Sequence, residues 1–408
     1  MSDPRHFVMA DMRHDPATVE GQGALLVARR DKVRISCACR EEGPELYVAS
    51  LSDRFIVKRM PGTGHKHSPG CPSYAPPDEL SGFGHVLGEA VNEDFDTGET
   101  TLRLDFALTK SGTRAAPPEA EPCAKGEVSG DPRKLKLSAF LHYLWQEADL
   151  VKWVPGMAGK RNWGLVRHRL MDAASGKVAK SRDLSEVLFI PEVWRKDTNA
   201  EISARRVARF AKLGAPKGKS RARPLGLLVG EYKSHGPARF GTKLTVKHMP
   251  GAPFFMDDAL ARRFDDAFGG TLMLADMAPG CHVVVVATFA VADKGYANIV
   301  EIGLMLVNAE WLPFDHVRDC ALLDRLVADG RSFMKTLRFN LAPRAPIASA
   351  VLTDLAKPVA LFVSDPNADA AALADLHEVA AEGVYASWIW GYEPEMPPLP
   401  VRSGGAVK

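Results

Sequence analysis

Cys37-Ala38-Cys39 and His65-Lys66-His67-Ser68-Pro69-Gly70-Cys71 are the two stretches on which the reading of this chain turns. Thiolates and imidazoles are the side chains that hold zinc, and four of these five residues would complete a tetrahedral site. Alternate residues of an extended chain face the same side, so Cys37 and Cys39 can grip one ion together. Ser68-Pro69-Gly70 is a turn-forming stretch that brings His67 and Cys71 back to the same point. The spacing to Cys71 favours His67 as the imidazole ligand, with His65 as the alternate. Three thiolates and one imidazole leave no open position, so the expected Zn2+ is structural. Such an ion is a weak Lewis acid, and no carboxylate stands nearby to act as base. The bland alternative is ordinary cysteines beside a histidine-rich loop.

Around this cluster the chain reads as short strands. Glu45–Ser50 and Arg54–Lys58 alternate like a hairpin joined across Ser52-Asp53, and Pro76-Pro77 marks a boundary. A second hairpin is expected from His85–Val91 and Thr100–Leu108, with its turn at Asp94–Gly98. Ser111–Asp131 is rich in Pro, Ala, Glu and Gly and reads as a linker. From Leu135 the period becomes helical: Leu137, Phe140, Leu141, Leu144, Trp145 and Ala148 share one face, and Trp163, Val166, Leu170 and Ala174 share another. A strand at Glu186–Ile190 and a helix at Glu201–Leu213 follow, an order compatible with a winged-helix-like module. Ala215–Arg223 is a basic linker. Strands are then expected at Leu225–Tyr232, Lys243–Lys247, His282–Ala292 and Ile299–Leu306, and a helix at His316–Asp329. Strands at Ser349–Thr353 and Val359–Val363, a helix at Ala368–Ala381 and an aromatic strand at Val384–Trp390 complete the pattern.

A chain of 408 residues exceeds one ordinary core, so several domains are expected. The fold class is α+β and multidomain. A zinc-binding β-rich module spans 1–80, a hairpin and flexible linker 81–134, and a basic helical module 135–223. An α/β domain spans 224–400 and a tail 401–408. The longest apolar run, Val283–Ala292, has the length of a strand, and the N-terminus lacks a secretory layout. A cytoplasmic protein with no membrane partner is therefore expected. Cys123, Cys281 and Cys320 are scattered, as free thiols of a reducing compartment would be.

The charge is unevenly distributed. Residues 160–223 hold 17 Lys/Arg against six Asp/Glu, whereas the whole chain carries only +2. That concentration points to a polyanionic partner, with DNA preferred. The candidate contacts are Lys160, Arg161, Arg167 and Arg169 around Trp163, and Arg205, Arg206, Arg209 and Lys212 on the later helix. A solvated surface is the competing explanation.

Two fragments suggest metal-dependent nuclease chemistry. Leu227–Gly230 runs into Glu231-Tyr232-Lys233, the Glu-x-Lys arrangement that with an upstream Asp holds magnesium. Later, Val351-Leu352-Thr353-Asp354 precedes a strand, a helix and Trp388-Ile389-Trp390, the order of elements in the late part of a restriction-type nuclease core. The strand that would carry Glu-x-Lys reads Ala360-Leu361-Phe362-Val363, so an inactive scaffold is expected, with Glu378 or Glu382 as remote substitutes. Phosphate-cradling, dinucleotide-binding and serine-elbow motifs are absent from the sequence.

Cys37-x-Cys39, His67-x-x-x-Cys71-Pro72-Ser73-Tyr74, the middle stretch Leu144-Trp145, Leu150–Trp153 and Arg161–Trp163, and the late Arg331–Lys335 with Leu352–Asp354 together resemble the bacterial family called domain of unknown function 1173. The resemblance covers nearly the whole chain. It implies a setting on plasmids and integrative conjugative elements of proteobacteria, without an activity and without catalytic residues. The reading that results is a zinc-stabilised nucleic-acid-binding protein of mobile elements, without catalysis. One alternative is a DNA nuclease acting through Glu231 and Lys233 or Asp354. Another is a zinc-stabilised assembly protein with no nucleic-acid role.

Overall fold

The computed structural model describes residues 5–51, 54–95, 97–110, 130–214 and 223–402. The turn at Ser52-Asp53, most of the linker expected over 111–131, all but Arg223 of the basic linker and residues 403–408 of the tail lie outside them.

The N-terminal sheet has five antiparallel strands in the order Met12–His14, Phe7–Met9, Ile35–Cys37, Glu45–Leu51, Arg54–Arg59. The expected hairpin forms in the register Val48↔Val57. A helix absent from the sequence reading, Val19–Arg30, packs on this sheet through Ala24, Leu25 and Ala28. Thr18 caps it by accepting from the Gly21 N–H, which satisfies one of the orphan donors of the first turn. Gln22 fastens it to the edge strand: its amide donates to the Phe55 carbonyl and accepts from the Phe55 N–H, both at 2.9 Å.

Val91–Glu93 and Thr100–Leu102 pair as a hairpin, and Thr100–Leu102 continues in parallel against Lys177–Ala179. The helices Leu137–Glu147 and Trp163–Ala174 appear where the apolar period places them. A single apolar core then runs from Phe7 through Trp145 to Phe339. Within the stretch read as a winged-helix-like module, Lys177–Ala179 forms a hairpin with Arg182–Asp183, but every other strand pairs outward. Lys152–Trp153 joins Phe333–Lys335, and Leu188–Phe189 joins Gly226–Pro237. Glu186 and Val187 lie in the short helix Leu184–Val187, and only Leu188–Phe189 of the expected strand is extended.

Residues 226–307 close a ring of five strands. Gly226–Pro237 pairs with Thr242–Val246, which pairs with Phe254–Met256. Phe254–Met256 runs parallel to Ala297–Val307, which pairs with His282–Val291, and His282–Val291 returns to Gly226–Pro237. One strand serves two neighbours because it bends at an irregularity between Tyr232 and Ser234: residues 226–231 pair on one side and 232–237 on the other. Leu228, Leu244, Phe254, Val285 and Phe289 fill the inside. Gly226 is required there, since a Cβ would come within 2.3 Å of the Phe289 ring. The helix Asp258–Met277 connects the third and fourth strands of the ring.

The C-terminal sheet has the order Ala386–Trp390, Val359–Val363, Ala350–Leu352, Phe333–Lys335, Lys152–Trp153. The helix Val317–Ala328 precedes it, and Ala370–Glu382 crosses between its two parallel strands.

Four charges from four elements meet where the N-terminal sheet adjoins the helical core. Lys58 lies 3.6 Å from both Glu93 and Glu147, and Lys177 lies 2.8 Å from Glu147. Burial would raise the Glu147 carboxyl, but Lys177 and Lys58 hold it well below the usual carboxylate range. A depressed folded-state pKa gives stability that is present above the unfolded carboxylate range and is lost on acidification. Glu147→Gln, which leaves two buried ammonium groups underpaired, should cost about 3–5 kcal/mol at neutral pH. Denaturant midpoints should then show the wild type losing this advantage between about pH 5 and pH 2, with the variant flatter over that range.

Candidate metal centre and basic surface

Cys37 ends the strand Ile35–Cys37, and Cys39 sits in the turn that follows. The pair therefore converges by turning, and not by sharing one face of an extended strand as the sequence suggests. Gly43 makes the turn possible, since a Cβ there would fall 1.6 Å from the Cys37 carbonyl oxygen. The Cys37 N–H donates to the Pro44 carbonyl and closes the loop at 2.9 Å. On the other side, the one-turn 3-10 helix Gly64–Lys66 delivers His67, and the Cys71 N–H donates to the Ser68 carbonyl at 2.8 Å.

The ligand atoms of Cys37, Cys39, His67 and Cys71 all lie within 4.8 Å of one another. Cys37 Sγ and Cys71 Sγ are 3.6 Å apart, Cys39 Sγ is 3.6 Å from His67 Nδ1, and Cys71 Sγ is 3.7 Å from that nitrogen. These cysteines are free thiols. His67 is fully buried and Cys37 and Cys71 nearly so, which shields the group from water. The shared hydrogen bond with Cys37 lowers the Cys71 thiol against the opposing effect of burial, helped by His67 and the Ser73 N–H at 3.3 Å. The same contact and burial push the Cys37 thiol up. A cation replacing the shared proton would favour both thiolates. This group can hold a metal ion. His65 is exposed on the 3-10 helix and stands outside it. Lys152 donates to the Cys71 carbonyl at 3.2 Å, so the cluster is tied to the strand that edges the C-terminal sheet.

The basic residues singled out by charge fare differently. Arg161 is buried: it donates to the carbonyls of Leu150, Lys152 and Glu310 and stacks over Trp153 at 5.3 Å. It is a core arginine, and no phosphate can reach it without unfolding that corner. Arg167 donates to the Ile190 carbonyl, and Arg209 to those of Ser185 and Leu188. Arg205 is held by Glu192 in a two-pronged pair at 3.0 and 2.8 Å. Arg169 and Arg206 are half-buried, and Lys160 and Lys212 are exposed. The eight cations thus do not form one open stripe, because local backbone carbonyls and a carboxylate have claimed several of them.

The nuclease alternative meets the same difficulty. Glu231 is buried, with Lys247 at 2.5 Å and His282 at 2.6 Å from one oxygen, while Lys233 is exposed. Burial would raise the Glu231 carboxyl, but His282 and Lys247 keep it below its ordinary value. Asp354 belongs to the other sheet, where both its oxygens accept from Arg331 and one also from Arg402. Neither carboxylate is free for magnesium. Among the described residues, the Cys/His group alone has the geometry for an ion. Among them, too, no helix is long and apolar enough to cross a membrane.

Loss of any one thiol should empty the centre. Cys37→Ser and Cys71→Ser are expected to purify without bound metal, whereas His65→Ala retains it in full. Elemental analysis of the purified full chain decides; metal retained by Cys71→Ser would remove the centre.

No curated protein and no solved structure matches the chain. A family model described as protein of unknown function, DUF1173, matches residues 7–392, which includes the metal centre, the five-strand ring and the C-terminal sheet. On a match of this extent the chain belongs to the DUF1173 family.

Proposed function

We propose that this chain is a zinc-stapled, non-catalytic nucleic-acid-binding protein. The observation that carries the reading is the strand order of the ring. Its first strand is shared between the second and the fourth, its third runs parallel to its fifth, and a helix links the third to the fourth. That is the plan of the five-stranded barrel that binds oligonucleotides and oligosaccharides on many otherwise unrelated proteins. Fold alone does not assign a ligand. The net positive balance over 160–223 favours the anionic of these two ligand classes.

Zinc is supported by the donor set and its spacing. Sulfur at about 2.3 Å and nitrogen at about 2.0 Å from a tetrahedral ion put two sulfurs about 3.8 Å apart and sulfur and nitrogen about 3.5 Å apart. Cys37 Sγ and Cys71 Sγ are 3.6 Å apart, His67 Nδ1 lies 3.6 and 3.7 Å from the Cys39 and Cys71 sulfurs, and all four donors fall within 4.8 Å of one another. Three soft thiolates disfavour magnesium and calcium. A closed set of this kind supplies folding energy and no chemistry, so its role is to hold the N-terminal sheet in shape. The setting on plasmids and conjugative elements comes from the family resemblance alone.

Purified full chain should carry one zinc and should retard DNA in a gel at low salt. Apparent affinity should fall log-linearly with salt, with a slope near 0.7 to 0.9 per phosphate neutralised. Absence of any retardation at low salt, with DNA and RNA both offered, would leave a zinc-stabilised assembly protein.

A further inference from the structure

We infer that the ligand is single-stranded and is gripped on the outer face of the ring's second and third strands, between the loops at 238–241 and 292–296. This rests on the nucleic-acid reading above and adds the ligand class and the residues that read it.

Alternation along the two strands separates inside from outside. Leu244 and its partner Phe254 are buried in the barrel, so Lys243 and its direct partner Phe255 face out together. Lys243 is exposed and Phe255 partly so. At one end of this face, the loop after Val291 brings Tyr296 against Phe255, ring centroids 5.9 Å apart and nearly perpendicular. At the other, the loop after Pro237 holds Phe240 out into solvent at 80% exposure, with the Arg239 guanidinium 5.4 Å from its ring centre. Tyr296 is 46% exposed, and Lys294 stands beside it in the same loop. Asp293, the acidic member of that loop, is occupied by Arg223 at 2.6 Å. A cleft of about 740 Å³ opens next to Phe255 and Tyr296, and Arg206 reaches it from the helix Asn199–Gly214.

Exposed aromatic rings alternating with cations are the surface that a single strand needs. Each base can stack on a ring while the adjoining phosphate meets a Lys or Arg. Bases of a duplex are already stacked on each other and present only their edges, so these rings would stay wet against double-stranded DNA. An apolar protein partner would match the rings but would leave Arg239, Lys243, Lys294 and Arg206 unpaired. The geometry therefore favours a single-stranded polyanion over both. It also relocates the readout away from most of the basic residues that sequence alone nominates, leaving Arg206 as the one that borders this face.

The test is fluorescence anisotropy of the full chain with labelled oligothymidylate of about 16 nucleotides, the upper site size of one such barrel. A duplex of equal length serves as comparison. Oligothymidylate should bind at least about tenfold tighter than duplex. Phe240→Ala and Tyr296→Ala should each weaken it about tenfold or more, the usual loss for a stacking ring. Phe240→Trp should retain binding, because it keeps a π-face. Lys243→Gln with Lys294→Gln should reduce the salt slope by about two phosphates. All of these side chains are exposed, so melting temperatures should stay within the wild-type range and separate lost binding from lost fold. Wild-type affinity in both alanine variants, or a preference for duplex, overturns this inference while the nucleic-acid reading stands. Failure of single strand and duplex alike removes both.

Discussion

The strand Gly226–Pro237 is the constraint on which the rest of the molecule hangs. Within the ring it must satisfy two neighbours along its length, and it can do so only by bending near Lys233 and by carrying glycine where Phe289 crosses it. Its buried carboxylate, Glu231, meets Lys247, one residue past the second strand, and His282 at the start of the fourth, so the barrel is also pinned by polar contacts at its seam. His282 lies flat on Trp311 at 4.2 Å between ring centres, and the Trp311 carbonyl accepts from the Trp145 indole at 3.1 Å. Trp163 joins the same group between Trp311 and His248. Ring stacking and one indole hydrogen bond therefore connect the barrel seam to the centre of the main core. A residue that resembles a nuclease carboxylate in sequence is in fact the anchor of that connection.

The Cys/His group can play a comparable part beside the N-terminal sheet. The N-terminal sheet is small, and its central strands are held by a turn that only glycine at 43 permits. A tetrahedral ion bound by Cys37, Cys39, His67 and Cys71 would fix that turn against the loop at 64–71 without asking the sheet for more apolar surface. The bond from Lys152 to the Cys71 carbonyl and the charges of Lys58, Glu93, Glu147 and Lys177 carry this order inward. Burying these charges is workable only because each carboxylate meets an ammonium.

Elements with strong local signals are legible from residues alone. The helices Leu137–Glu147, Trp163–Ala174 and Val317–Ala328 and the long strands His282–Val291 and Ala297–Val307 stand where period and caps put them. The helix Asp258–Met277 is less visible although Asp257 caps it and Leu260, Phe264, Phe268 and Leu272 recur every four residues, because Gly269-Gly270 interrupts the pattern midway. Phe254–Met256 is three residues long and gives no alternation to read, yet without it the ring does not close. Charge counting cannot place the cations, since it cannot tell a guanidinium in water from one such as Arg161 spent on backbone carbonyls.

What the residues determined by themselves is the ligand chemistry of the amino-terminal cluster and the family. Thiol and imidazole spacing is a local property, and a return loop of a few residues leaves few ways to arrange it. What only the tertiary structure decided is which charges are available and which strands are neighbours. The parallel pairing of Phe254–Met256 with Ala297–Val307 joins segments separated by a whole helix and a strand. The contact to Glu231 likewise comes from a histidine 51 positions away. Non-local contacts of this kind leave no periodic trace in sequence, because the partners are chosen by packing after the chain has collapsed.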